Sequence, residues 1–297
     1  MADVDELVEV PFDATQAVTV AYVHGGNDDV VAYSWHHSMI ELVGWDMANH
    51  GRILQGGYIS MRSGTNGLVE SRNNAIRDFL LEGKADWLFW IDTDMGFPPD
   101  IIDQLMAVAD PHERPIVGAL CFSLRADEPD GLGGWRTMAV PTIFDWAHVD
   151  ERHGFAVRWD YPINTVTACA GTGSAAILIH RRVFEAIADK LGPIWYNRVV
   201  NPSTDQLVSE DLSFCMRAGA LHFPIYVHTG VQTTHSKQVW VGQDHYWRER
   251  AVNPPPPPTE SMKSPGPDTA TDPWPSLSTP ETDARRSNTV GVDSDGV

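Results

Sequence analysis

The chain has 297 residues, an apolar share of 42% and a formal net charge of −19 at pH 7. The length allows one or two domains, and the apolar share allows a sizeable core. The charge argues against a general nucleic-acid or membrane-surface binder, since both need a basic patch, and makes duplex nucleic acid an unnatural partner.

Residues 1–15 read as an acidic lead-in without the apolar centre of a secretory leader. No apolar run approaches the ~20 residues that span a bilayer, so the expected protein is cytoplasmic with no membrane span. Ala17–Val23 predicts a strand that ends at His24-Gly25-Gly26. A helix is expected within Tyr33–Met47, a short strand over Tyr58–Met61 and a helix over Leu68–Leu81. Trp87–Ile91 (WLFWI) is an unbroken apolar run, as suits a strand covered on both faces. Pro98-Pro99 then opens a helix over Ile101–Ala109, with proline at its usual first-turn position. Ile116–Phe122 predicts a strand, and 123–168 predicts loops with short antiparallel strands. Next come a strand over Ala175–His180, a helix over Arg181–Leu191, a helix within Leu207–Ala218 and a last strand over Phe223–His228. Strands alternating with helices predict an α/β fold, a mostly parallel sheet with helices on both faces. The folded domain is expected over 16–250. From 251 to 297 the composition turns to Pro, Ser, Thr and Asp, and a disordered tail is expected. Cys121, Cys169 and Cys215 form no CxxC pair and lie in or beside apolar segments, so they read as buried thiols.

Four polar clusters interrupt this pattern. Asp92-Thr93-Asp94 follows the Trp87–Ile91 strand, at the carboxyl end where open α/β sheets place ligands. Two carboxylates so placed can share a divalent cation and a diphosphate. Ser71-Arg72-Asn73 lies at the start of the preceding helix, where an arginine favours anions. Gly171-Thr172-Gly173-Ser174 forms a turn that lets backbone approach a ligand. Ser209-Glu210-Asp211 opens a helix, with Ser209 as its cap and two carboxylates at its positive end. His235 follows the last strand, and Lys237 comes two residues later.

Together, in this order over about 17–240, these clusters resemble the family-2-like glycosyltransferases of the GT-A (Rossmann-like) fold, with their DxD and ED motifs. The resemblance implies a nucleoside diphosphate sugar donor, contacted by His24, Arg72, Asn73, Asp92 and Lys237. It implies an acceptor side near Gly171, Thr172 and Gly173. It also implies a metal on Asp92, Asp94 and His235, with Mn²⁺ suited to the imidazole nitrogen and Mg²⁺ the alternative. Asp211, with Glu210 beside it, would take the proton of an acceptor hydroxyl on a glycan, protein or small molecule, giving inversion. The first strand ends in His24-Gly25-Gly26, which departs from the family pattern for base recognition. No Gln-x-x-Arg-Trp follows the ED motif, which argues against a processive synthase. A retaining transferase, a nucleotidyltransferase and a non-catalytic nucleotide-sugar-binding module remain alternatives.

The tail composition generates the first prediction. A chain ending near Asn253 should fold, melt and act like the full chain, because 254–297 carry few core-forming residues. Aggregation or a much lower melting temperature of the truncated chain would show that the tail is structural.

Overall fold

The computed structural model describes residues 13–24, 31–54, 56–129, 131–149, 152–239 and 242–252. The first half runs β1 (Val18–His24), α1 (Tyr33–Ala48), β2 (Ile59–Ser63), α2 (Leu68–Leu81), β3 (Trp87–Ile91), β4 (Met95–Gly96), α3 (Ile101–Met106) and β5 (Ile116–Leu120). Two antiparallel ribbons follow, β6 (Phe122–Pro129) with β7 (Trp135–Pro141), and β8 (Ile143–Val149) with β9 (Arg152–Val157). The remainder is β10 (Val166–Cys169), β11 (Gly171–Thr172), β12 (Ala176–His180), α4 (Arg181–Leu191), β13 (Val199–Val200), β14 (Leu207–Val208), α5 (Glu210–Ala220), β15 (Ile225–Gln232) and β16 (Thr234–His235). A second compact unit begins at Val241, and its described part is the helix α6 (Gln243–Val252). Of the disordered tail expected over 251–297, Ala251 and Val252 instead end α6, and 253–297 lie outside the described residues. Among the described residues, no helix is long and apolar enough to cross a membrane.

Seven strands form the main sheet in the order β10-β15-β5-β12-β3-β1-β2. The pairs β2–β1, β1–β3 and β5–β15 are parallel. β12 runs against both of its neighbours and β10 runs against β15, so five of the seven strands share one direction. The expected mixed α/β sheet is therefore present, mostly parallel, with two reversed strands that periodicity alone did not disclose. The reversal of β12 matters for the site. Its first residue, Ala176, pairs with the last residue of β3, Ile91. The glycine-rich turn before β12 and the acidic turn after β3 thus share one edge of the sheet. α5 leads into β15 from the opposite end and so brings its N-terminus to that same edge.

Alternation along β3 explains the burial on both faces. Trp87, Phe89 and Ile91 join a core with Trp35, Leu42, Ile101 and Leu105. Leu88 and Trp90 join a second core with Ile76, Phe79, Phe184 and Phe214. Helices α1 and α3 therefore cover one face, and α2, α4 and α5 the other. All five residues of β3 are buried, and each large apolar side chain so buried contributes about 1.5–3 kcal/mol. Several boundaries differ from expectation. The helix after Pro98-Pro99 ends at Met106, because the chain then turns and Asp110 bridges to Arg114. The last strand runs on to Gln232. The three cysteines are free thiols, Cys121 and Cys215 buried and Cys169 half-buried. Burial pushes the Cys121 and Cys169 thiols up to about 12.

Phe89 is fully buried in the middle of this sheet. Phe89→Ala should cost about 3–5 kcal/mol of unfolding free energy in a denaturant titration. A cost below about 1 kcal/mol would contradict its place in the core.

Candidate active site

The site begins with one arginine. Gly67, at φ +94, holds a backbone conformation that favours glycine and starts α2 after a short 3-10 turn at Gly64–Asn66. Ser71 ties that start down by donating to the Ser63 and Gly67 carbonyls at 2.7 and 2.9 Å. The next residue, Arg72, is 1% exposed. Its guanidinium lies 5.3 Å from the Tyr196 ring centre and 5.8 Å from that of Trp90. Nη2 donates to Asp92 Oδ1 at 2.9 Å, and Nη1 donates to Asp211 Oδ1. Nε is buried without a partner. Burial works against the charge, but the Asp211 and Asp92 carboxylates outweigh it and hold Arg72 protonated. Burial raises the Asp92 carboxyl. Arg72 opposes that shift, and Asp211 and Asp94 add to it.

Asp94 has different partners. His235 Nε2 lies 2.9 Å from its Oδ2, and Lys237 Nζ donates to the same oxygen at 2.7 Å. Burial pushes this carboxyl up, yet the His235 and Lys237 contacts prevail and hold it at about 2. A short ladder sets the geometry, with Thr234 opposite Gly96, His235 opposite Met95, and Ser236 N–H donating to the Asp94 carbonyl at 2.8 Å. Gly96 allows that approach, since a Cβ there would meet Thr234 Oγ1 at 2.5 Å. His235 Nδ1 lies 2.7 Å from the Phe122 carbonyl, which accepts only, so Nδ1 carries the proton.

The acidic turn faces an open cleft of about 240 Å³ lined by Val23, His24, Gly64, Leu68, Asp92, Thr93 and Asp94. Among the expected residues, His24, Asp92 and Asp94 therefore share one cavity, and Asp211, Arg72, His235 and Lys237 join it through direct contacts with the two aspartates. Others do different work. Asn73 is buried, accepts from Trp195 and Tyr196 N–H at 2.9 and 3.0 Å, and donates to the Tyr196 carbonyl at 2.9 Å. Its amide oxygen and one amide hydrogen hold the 195–196 backbone, and the side chain is buried. Arg72 is likewise too buried to touch a nucleotide directly and acts through the carboxylates it joins. Glu210 is buried and lies 3.5 Å from Arg198 Nε rather than with Asp211. Gly171 is a packing glycine, since a Cβ there would lie 2.8 Å from the Phe155 ring and 2.9 Å from Leu212. Thr172 is buried and donates to the Thr142 carbonyl at 2.7 Å. Gly173 is half-buried, and a Cβ there would rest at ordinary contact distance from Thr142, 3.7 Å away. Tyr196, Trp90 and Gly96 are site-building residues that sequence reasoning did not single out.

Among the described residues, no three His, Cys, Asp or Glu side chains gather into a ready-made metal cage. The pair Asp94–His235 nonetheless has the donor chemistry for one. A carboxylate oxygen and an imidazole nitrogen lie 2.9 Å apart, a mixed oxygen and nitrogen donor set that would suit a borderline divalent ion such as Mn²⁺. With Nδ1 turned to the Phe122 carbonyl, Nε2 faces Asp94, where it donates a hydrogen bond when the ring is charged and offers a lone pair to a shared cation when it is not.

No protein-family model and no curated protein sequence matches the chain. Solved structures do match. A197 from STIV is 15% identical, with 75% of this chain and 86% of that one covered, at a TM-score of 0.42. GalNAc-T7, crystallised with UDP, GalNAc and Mn²⁺, is 10% identical over 80% of this chain, at a TM-score of 0.45. This chain spans 48% of the GalNAc-T7 chain. The inositol-1-phosphate CTP transferase from T. maritima is 13% identical, with 76% and 90% covered, at 0.36. The likeness is one of general architecture, and the chemistry of this chain rests on its own residues.

Asp94 gives the site a pH signature. Its folded-state carboxyl sits below its ordinary value, so it stabilises the fold above about pH 4 and loses that contribution as the pH falls toward 2. Asp94→Asn should flatten the acid limb of stability between pH 4 and 2, measured by thermal melting across that range. An unchanged limb would mean that the His235 and Lys237 contacts do not form in solution.

Proposed function

We propose that this chain is a glycosyltransferase that moves a sugar from a nucleoside diphosphate sugar to an acceptor hydroxyl with inversion. The observation that carries this reading is the Arg72 bridge. One buried guanidinium binds the first aspartate of the DxD turn and the aspartate that opens α5. A turn suited to a diphosphate and a carboxylate suited to an acceptor hydroxyl are thereby held at one edge of the sheet.

The residues divide the work. The cleft between His24, Gly64, Leu68 and the acidic turn receives the donor. Lys237 and His235 place positive charge beside Asp94, where a diphosphate would lie. Arg72 engages Oδ1 of Asp211 and leaves Oδ2 for the acceptor. Asp211, 24% exposed, is open enough to meet a hydroxyl at the N-terminus of α5. As that hydroxyl attacks the far face of the sugar, Oδ2 takes its proton. Asp94 and His235 are the residues that would hold Mn²⁺, or Mg²⁺ in its place. Such an ion supplies Lewis-acid stabilisation of the leaving diphosphate. Glu210, buried and 3.5 Å from the exposed Arg198 guanidinium, supports the helix start.

Asp211→Asn tests the reading. Asparagine keeps the oxygen that Arg72 contacts and removes the base. Transfer should fall by roughly two to four orders of magnitude with donor affinity near wild type, while the melting temperature drops because Arg72 loses one of its two counter-charges, so transfer is compared under conditions where melting shows the variant folded. Near-normal transfer in a folded variant would remove Asp211 from the role of base and reopen the retaining mechanism.

A further inference from the structure

One oxygen of Asp94 meets two nitrogens, of which Lys237 alone is a permanent cation. Oδ2 meets His235 Nε2 at 2.9 Å and Lys237 Nζ at 2.7 Å, while the Arg72 guanidinium serves Asp92 and Asp211. The two partners are not equally fixed. The His235 side chain is 13% exposed, belongs to the β4–β16 ladder and is pinned at Nδ1 by the Phe122 carbonyl. The Lys237 side chain is 38% exposed, on a segment of no regular secondary structure, and its ammonium ends a flexible four-carbon stem. Lys237 can therefore leave Asp94 without disturbing the fold, and His235 cannot.

We propose that Lys237 is a resident counter-cation that keeps Asp94 closed to a metal ion until a diphosphate arrives, so that metal and donor enter together. This rests on the reading of Asp94 and His235 as the metal pair. A dication that approaches Oδ2 in the absence of donor meets an ammonium already on that oxygen. To bind there it must break the Lys237–Asp94 pair and leave the ammonium without a partner. A diphosphate changes that balance, because its oxygens receive the displaced ammonium as a point-charge ligand. The lost ion pair is replaced only when the donor is present. Metal and nucleotide then strengthen each other's binding by one common factor, as linkage requires.

The test is Mn²⁺ binding to the full chain, read from the loss of the free aqueous Mn²⁺ signal in electron paramagnetic resonance. Titrations run with and without UDP, and protein-free titrations account for the Mn²⁺–UDP complex. Without UDP, Lys237→Gln should bind Mn²⁺ about tenfold more tightly than wild type, and the gain on adding UDP should shrink by the same factor. Lys237→Arg keeps the charge and should retain the wild-type pattern. Because the pair is partly exposed, the difference between wild type and Lys237→Gln should narrow as salt rises toward about 1 M. Equal Mn²⁺ affinities for wild type and Lys237→Gln, with Asp94→Asn unable to bind, would overturn this inference and leave the metal pair standing. Wild-type Mn²⁺ binding by Asp94→Asn would overturn the metal pair itself, and the inference with it.

Discussion

A buried guanidinium sets the terms for the rest of the site. Removing a charge from water is costly unless partners surround it, and breaking one half of a buried pair strands the other. Arg72 meets that demand with two carboxylates from distant parts of the chain and two aromatic rings. Its separation from Asp211 is 139 residues, so the pair forms only when α2, β3 and α5 are all in place. The interaction therefore does more than hold two motifs together. It makes the position of Asp211 depend on that of the Asp92–Asp94 turn, because both read the same cation. Tyr196 is part of the device. Its ring stacks on Phe214 at 5.1 Å and its hydroxyl lies 3.1 Å from Ser174 Oγ, which ties the wall beside Arg72 to α5 and to the glycine-rich turn.

The sheet explains how such distant segments converge. β1 and β3 run parallel and end at the edge that carries His24 and Asp92. β12 runs the other way and begins there, which delivers Ser174 and Ala175. The Ala175 carbonyl accepts from Asp92 N–H at 2.9 Å, a direct tie between the two turns. β15 ends at the same edge and passes into β16, which pairs with β4 just beyond the acidic turn. α1 adds a further restraint, because Ala32 N–H donates to the Thr93 carbonyl at 2.9 Å at the start of that helix. The two aspartates thus sit on a backbone held from three sides.

How much of this was legible follows from the kind of signal each feature leaves. β3 was readable to the residue, since a doubly covered strand must be apolar at every position. α2 and α4 were readable because their apolar positions recur at helical spacing, and their observed bounds match those expected. Asp92, Asp94, Asp211 and His235 stood out as polar residues at the ends of apolar elements. The partnerships among them did not. Arg72 looked like a ligand because an arginine at a helix start suits an anion, and nothing local shows that the anions are side chains. Asn73 was read with it, although an asparagine that staples a distant backbone has the same local appearance. Gly171 sits in a glycine-rich turn that suits the close approach of a ligand, whereas its lack of a side chain serves the packing of Phe155 and Leu212. The reversed direction of β12 was equally hidden, because periodicity reports burial and not direction.

Charge closes the argument. The described cluster holds three carboxylates, Asp92, Asp94 and Asp211, against two permanent cations, Arg72 and Lys237, with His235 able to add a third. With His235 neutral, three negative charges against two positive leave the cluster at −1, in a chain whose overall charge is −19. A nucleoside diphosphate bound as proposed would bring further negative charge to the same place. Arg72 is buried with both terminal nitrogens on carboxylates, and Lys237 is shared with Asp94. The resident cations therefore balance the resident acids and little more. A site built in this way favours an anionic donor only when additional positive charge accompanies it. Of the three carboxylates, only Asp94 lies against a nitrogen ligand that can help to hold that charge.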